Sequence, residues 1–227
     1  MTSPNSPSTS KKSSGSVIWI AVVGVVVLLG VVALIAARGS KDDNDAATEK
    51  AAAPKTVSTA AKGADTTLPP FQASADDAAV GQTIPAVSGT TLDDKPISIS
   101  SDGTAKIIMF VAHWCPHCQR EVPLIATHLE TSPMPDDVDL IMVSTAVDKT
   151  RGNWPPSKWL ESVGWKLPVM ADSAESTAGH TYGLTSFPYF VVVDKEGKVV
   201  YRTSGEITVE QFDQLVKAAQ TGEAPTA

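Results

Sequence analysis

The two cysteines of this 227-residue chain, Cys115 and Cys118, stand three residues apart, and the segments on either side of them leave few choices of fold. Residues 106–112 (KIIMFVA) form a nearly continuous apolar run, as in a strand covered on both faces. Residues 116–130 then place Val122, Leu124, Ile125 and Leu129 in a helical stripe that Pro123 is predicted to kink. A buried strand passing straight into a helix makes Cys115 the N-cap and Pro116 the N1 residue, where a missing N–H costs nothing. Unpaired N–H groups of the first turn and the helix dipole then face the Cys115 sulfur and favour its thiolate, the form that attacks disulfides. Cys118 lies on the same side of the helix and can close a disulfide with Cys115.

The rest of the C-terminal part alternates in the same way. Residues 81–99 read as a short strand pair around turns at Gly89 and at Asp93 and Asp94, and residues 139–144 and 167–170 as further strands. Residues 189–193 and 198–202 form a pair joined at Glu196 and Gly197. A capping box over Thr208, Val209, Glu210 and Gln211 opens a last helix with Val209, Phe212, Leu215, Val216 and Ala219 on one face. Strands alternating with helices and closing on a hairpin and a helix predict an α/β fold, a central mixed β-sheet flanked by helices. No internal repeat is present.

The N-terminal third has a different character. Residues 17–37 (VIWIAVVGVVVLLGVVALIAA) carry no charge or strongly polar group. As a helix rising about 1.5 Å per residue they span roughly 31 Å, against a bilayer core of roughly 30 Å. A transmembrane helix is the expectation; a cleaved signal peptide is the competing reading, but its apolar region is shorter and no clear A-x-A site precedes Arg38. Lys11 and Lys12 on one side balance Arg38 and Lys41 on the other, so charge does not orient the span. The short tail, residues 1–16, is placed in the cytoplasm and the large C-terminal part outside. Residues 38–70, rich in Ala and free of aromatic residues, read as a disordered linker leading to one domain at 71–227. That domain carries eleven Lys and Arg against twenty Asp and Glu, a net charge of -9, and the chain has no basic footprint for nucleic acid.

Trp114, Cys115, Pro116, His117 and Cys118, following His113, resemble the active site of the thioredoxin fold. With Glu121 and Pro123 they complete C-x-x-C-x-x-E-x-P, similar to membrane-anchored thiol-disulfide oxidoreductases of the TlpA/ResA type. The similarity extends to residues 81–99, to Tyr182, Gly183 and Leu184 before Phe187 and Pro188, and to residues 191–197, and covers 79–220. It implies a thioredoxin-like fold that exchanges disulfides with protein thiols or disulfides in a bacterial envelope. Cys115 then makes the mixed disulfide, Cys118 resolves it, and a membrane or envelope redox partner recycles the pair without cofactor or metal. It also implies that Pro188 is cis and, with Phe187, shapes the substrate groove. The Pro116-His117 dipeptide resembles that of DsbA-type oxidases, so His117 is expected to tune Cys115 towards disulfide formation; TlpA/ResA-like relatives, usually reductases serving cytochrome c or oxidase assembly, imply the opposite direction. Met109 stands where thioredoxins carry a buried acid.

Blander readings stand beside these. Trp114 either shields the disulfide or contacts a partner, and Glu121 either takes the proton that Met109 cannot or is an ordinary solvated carboxylate. A structural zinc site wants four ligands, and His113, His117, His128 and His180 supply no second paired motif. Copper delivery on the same fold, a non-enzymatic rival, would rest on His180 as a distal ligand. A peroxiredoxin would need a P-x-x-x-T-x-x-C string, which is absent. Trp154, Trp159 and Trp165, with Pro155 and Pro156, form either a client surface or core.

Overall fold

The structure is a computed structural model that describes residues 58–59 and 67–226. The tail 1–16, the apolar span 17–37 and most of the linker lie outside the described residues. Within the described residues no helix is long and apolar enough to cross a membrane.

Among the described residues eight strands make one mixed sheet: β1 (Ser58–Thr59), β2 (Val87–Thr91), β3 (Pro96–Ile99), β4 (Ala105–Val111), β5 (Val138–Ser144), β6 (Val169–Ala171), β7 (Tyr189–Val193) and β8 (Val199–Ser204). Their order is β1-β2-β6-β5-β4-β7-β8, with β3 paired on β2. Strands β4, β5 and β6 run parallel, while β7 lies antiparallel to β4 and β2 to β6. Among the described residues four helices flank the sheet: α1 (Pro116–Thr131), α2 (Pro156–Ser162), α3 (Thr177–Thr181) and α4 (Val209–Thr221). This is the mixed sheet that the resemblance implied.

Every residue of β4 is buried, and its two faces feed two cores. Ile107, Met109 and Val111 pack with Val122 and Ile125 of α1 and with Phe212 and Leu215 of α4. Ile108 and Phe110 pack on the other face with Tyr182, Tyr189, Phe71 and Leu68. The predicted capping box is formed, with Gln211 N–H donating to Thr208 Oγ1 at 3.2 Å and Thr208 N–H to Gln211 Oε1 at 2.8 Å. Pro123 sits inside α1, where it withholds one backbone donor.

Four differences from the sequence reading have local causes. Gly89 does not turn the first hairpin; it lies within β2, opposite Ile97, and the turn falls at Thr91–Lys95, whose ends are joined by Thr91 N–H to Lys95 O at 2.8 Å. The strand expected at 167–170 is β6, Val169–Ala171. Helices α2 and α3, seven and five residues long, are too short to show a helical period. The expected linker runs to residue 70, yet Leu68 within it is buried with its N–H on Thr181 O, just ahead of Phe71, whose N–H bonds Gly183 O. Gly183 permits this approach: a Cβ there would stand 2.3 Å from Pro69 O. Arg202, 1% exposed, locks the same segment by pairing with Asp77 and donating to Pro69 O at 2.9 Å and Tyr189 Oη at 3.0 Å.

Candidate active site

Strand β4 delivers the chain into α1 through residues 112–115, and Cys115 N–H bonds Ala112 O at 3.0 Å to make the turn. Cys115 is the N-cap, extended at φ -73 and ψ 121, with Pro116 following it. Both cysteines are free thiols and both are buried, Cys115 at 5% exposure and Cys118 at 0%. The Cys115 sulfur faces the carbonyl of Phe187 at 4.0 Å, and the Phe187–Pro188 peptide is cis. Phe187 and Pro188 thus lie against the cysteine pair. Burial pushes the Cys118 thiol far up, and the neighbouring Cys115 sulfur and the Glu121 carboxylate push it further, so Cys118 holds its proton until something removes it.

Glu121 is not a solvated helix carboxylate: it is 1% exposed on the inner side of α1. Its Oε1 accepts from Ile207 N–H at 2.7 Å, and Oε2 has no partner. Burial raises its pKa from 4.5 to about 8, against the pull of the Ile207 N–H and with a contribution from the negative charge of Glu206. A carboxyl group pushed up to about 8, whose charge acts on Cys118, is a candidate proton donor and acceptor for that thiol. Met109, fully buried in the same apolar core as the cysteines, carries no proton.

The outer rim is a charge cluster. His117 Nδ1 and the Arg120 guanidinium both engage the Glu206 carboxylate, Arg120 Nε at 3.1 Å, and Arg120 also reaches His117 Nδ1 at 2.9 Å. Glu206 is held down to about 2, first by Arg120 and then by His117. The His117 ring therefore bonds the rim carboxylate, whereas the Cys115 sulfur meets the Phe187 carbonyl and the Cys118 thiol. Beside the pair, Trp114 is half-buried: its Nε1–H donates to Ala146 O at 2.7 Å, and its ring meets Phe187 edge-on at 5.9 Å. Packing and exposure are thus combined in one side chain.

Of the residues singled out in the sequence, Trp114, Cys115, Pro116, His117, Cys118, Glu121, Phe187 and Pro188 converge on one end of β4. Trp159 and Trp165 fill the core, whereas Trp154 packs edge-on against His113. His180 is exposed on α3, and His128 pairs with Asp213. Among the described residues no three His, Cys, Asp or Glu side chains are grouped to hold a metal. Sequence reasoning missed Arg120 and Glu206. No spacing signal points to Glu206, which meets His117 across 89 residues of chain.

Residues 79–218 match the family model described as Redoxin. The thiol-disulfide oxidoreductase ResA of Bacillus thuringiensis strain Al Hakam is 28% identical over 139 residues, 61% of this chain and 77% of the relative. Sporulation thiol-disulfide oxidoreductase A of Bacillus subtilis strain 168 is 23% identical over 124 residues, 55% of this chain and 73% of that protein. Among solved structures, a thiol:disulfide interchange protein of the thioredoxin family from Chlorobium tepidum TLS superposes with a TM-score of 0.51 at 27% identity. It covers 61% of this chain and 96% of its own.

Proposed function

Since the chain belongs to the Redoxin family, we propose that it exchanges disulfides with protein substrates through Cys115 and Cys118, anchored in a membrane by residues 17–37 with the thioredoxin-like domain outside the cytoplasm. Relatives carry the name thiol-disulfide oxidoreductase, and the chain is an enzyme of that class. The observation that carries the reading is the asymmetry of the two thiols: Cys115 lies at the helix terminus beside the cis-proline loop, and Cys118 is sealed beneath it with a titratable acid nearby.

In the oxidising direction a client thiolate attacks the Cys115 sulfur of the Cys115–Cys118 disulfide, and Cys118 leaves as a thiolate that Glu121 can protonate. A second client thiolate then attacks the client sulfur of the mixed disulfide, and Cys115 departs with the electron pair. The reducing direction runs the same steps backwards, with the Glu121 carboxylate accepting the Cys118 proton. Protonated Glu121 suits the first direction and ionised Glu121 the second, so a pKa near 8 serves both.

Disulfide formation is the proposed direction, resting on the Pro116-His117 dipeptide. One observation favours a reductase for cytochrome c or oxidase assembly instead: the His117 ring is held by Glu206. Equilibration of the purified protein with glutathione decides between them, because a potential near or below about -270 mV, that of thioredoxin, refutes the oxidising direction. The roles are tested by trapping. Cys118→Ala accumulates mixed disulfides through Cys115 and Cys115→Ala does not; equal trapping by both refutes the assignment.

A further inference from the structure

We infer that the loop after β5 is a client-recognition element, in which the Arg151 guanidinium, stacked on Trp114, binds a carboxylate of the client chain close to the cysteine being exchanged. The inference rests on the proposed disulfide exchange at Cys115.

The loop at 145–153 is exposed from Lys149 to Asn153, yet its conformation is fixed by many bonds and contributes little to the core. His113, fully buried, holds it from beneath: its Nδ1 lies 2.7 Å from Gly152 O, and Asp148 N–H donates to its Nε2 at 3.2 Å. That pattern needs the neutral ring, one nitrogen donating and the other accepting, and burial lowers the His113 pKa and keeps it so. The His113 carbonyl accepts from the Asn153 side chain at 3.3 Å, and Asp148 Oδ1 accepts from Thr150 N–H and Oγ1. Trp114 Nε1–H ties the other end of the loop at Ala146 O. Ala146 and Asn153 sit at φ 49 and φ 62, in the left-handed region that alanine in particular seldom adopts.

These bonds position one exposed group. The Cζ atom of Arg151 lies 3.9 Å from the Trp114 ring centroid, and no carboxylate among the described residues is within ion-pair distance of it. The Asp148 carboxylate, held down first by Thr150 and also by the Arg151 charge, makes no ion pair with it, so the guanidinium over the Trp114 ring is left to take a further carboxylate through its fork of donors. From Arg151 the path to the nucleophile is short: Trp114 touches Phe187, whose carbonyl faces the Cys115 sulfur. An extended client, rising about 3.4 Å per residue, would pass from one to the other within a few residues. The domain's net charge of -9 repels an acidic client only at long range, where salt with a Debye length of about 8 Å screens it; a direct contact is screened far less.

The test uses the full-length protein and dithiol peptides that carry a single Glu, or Gln in its place, at each of three positions on either side of a cysteine. Exchange is followed by tryptophan fluorescence, and kcat/KM is expressed as the Glu-to-Gln ratio, so that effects on Cys115 itself cancel. The wild-type protein should prefer Glu at one or two positions by about three- to fivefold, as for an exposed ion pair, and the preference should shrink as salt is raised from about 0.05 to about 0.5 M. Arg151→Gln should bring the ratio to one, and Arg151→Glu should turn it in favour of a Lys peptide. The same ratio in wild type and Arg151→Gln, or no wild-type preference at any position, overturns the recognition while leaving the exchange reading intact. Failure of the wild-type protein to exchange with any peptide overturns both.

Discussion

Replacing Glu121 by glutamine should abolish a specific part of the pH dependence of stability. The folded Glu121 pKa of about 8 lies above its ordinary value of 4.5, and the side chain is 1% exposed. Between those two pH values the folded protein keeps a proton that the unfolded chain has released, so stability falls as pH rises through the window and levels off above it. At about 1.36 kcal/mol per pH unit the whole interval amounts to roughly 4 to 5 kcal/mol, an upper figure because the interior relaxes around a charge. Glutamine is neutral throughout and keeps an acceptor for the Ile207 N–H. Its amide would stand where Oε2 has no partner, a pH-independent offset of roughly 1 to 3 kcal/mol. The slope of the difference, and not its level, is therefore the readout. Urea unfolding of the reduced protein, followed by tryptophan fluorescence from pH 5 to pH 9, should show Glu121→Gln gaining on wild type by about 1 kcal/mol per pH unit in mid-window. A flat difference curve would refute the buried, proton-holding Glu121 and with it the proton transfer to Cys118.

Other perturbations read other parts of the structure. Arg202→Met leaves Asp77 buried without its partner and should lower stability by about 3 to 5 kcal/mol in denaturant titration; a loss under about 1 kcal/mol would show that the ion pair does not hold the N-terminal segment. Glu206→Gln frees His117 and Arg120 from their shared carboxylate and removes a negative charge near the thiols, so the potential against glutathione should rise, on the order of 10 mV. An unchanged or lower potential would mean that the rim does not reach Cys115. A protease added to cells stripped of their outer wall should cut between residues 39 and 66 and release a fragment holding both cysteines; protection until lysis would place the domain on the cytoplasmic side.

What the sequence made legible was local. The apolar run at 106–112, the Cys115 N-cap with Pro116 behind it and the Thr208–Gln211 box each depend on residues a few positions apart, and each is formed as read. Gly89 misled because glycine signals a turn more often than a strand interior, and here strand pairing with Ile97 prevailed. Glu121 could not be placed by pattern, since a helix carboxylate one turn past Cys118 looks the same whether it faces water or core. What decides is Ile207, 86 residues away, whose N–H caps its Oε1. Arg151 was equally silent, because it reaches Trp114 only through a loop held by a histidine that the motif string named without a role.

Three consecutive residues between β8 and α4 connect parts of the site that the sequence presents as unrelated. Gly205 N–H donates to Pro188 O at 2.9 Å and holds the cis-proline loop that faces Cys115. The Glu206 carboxylate turns outward to His117 and Arg120, while Ile207 N–H turns inward to Glu121. Glu206 also raises the Glu121 pKa through its charge, so the exposed rim and the buried proton are electrostatically linked although their side chains do not bond.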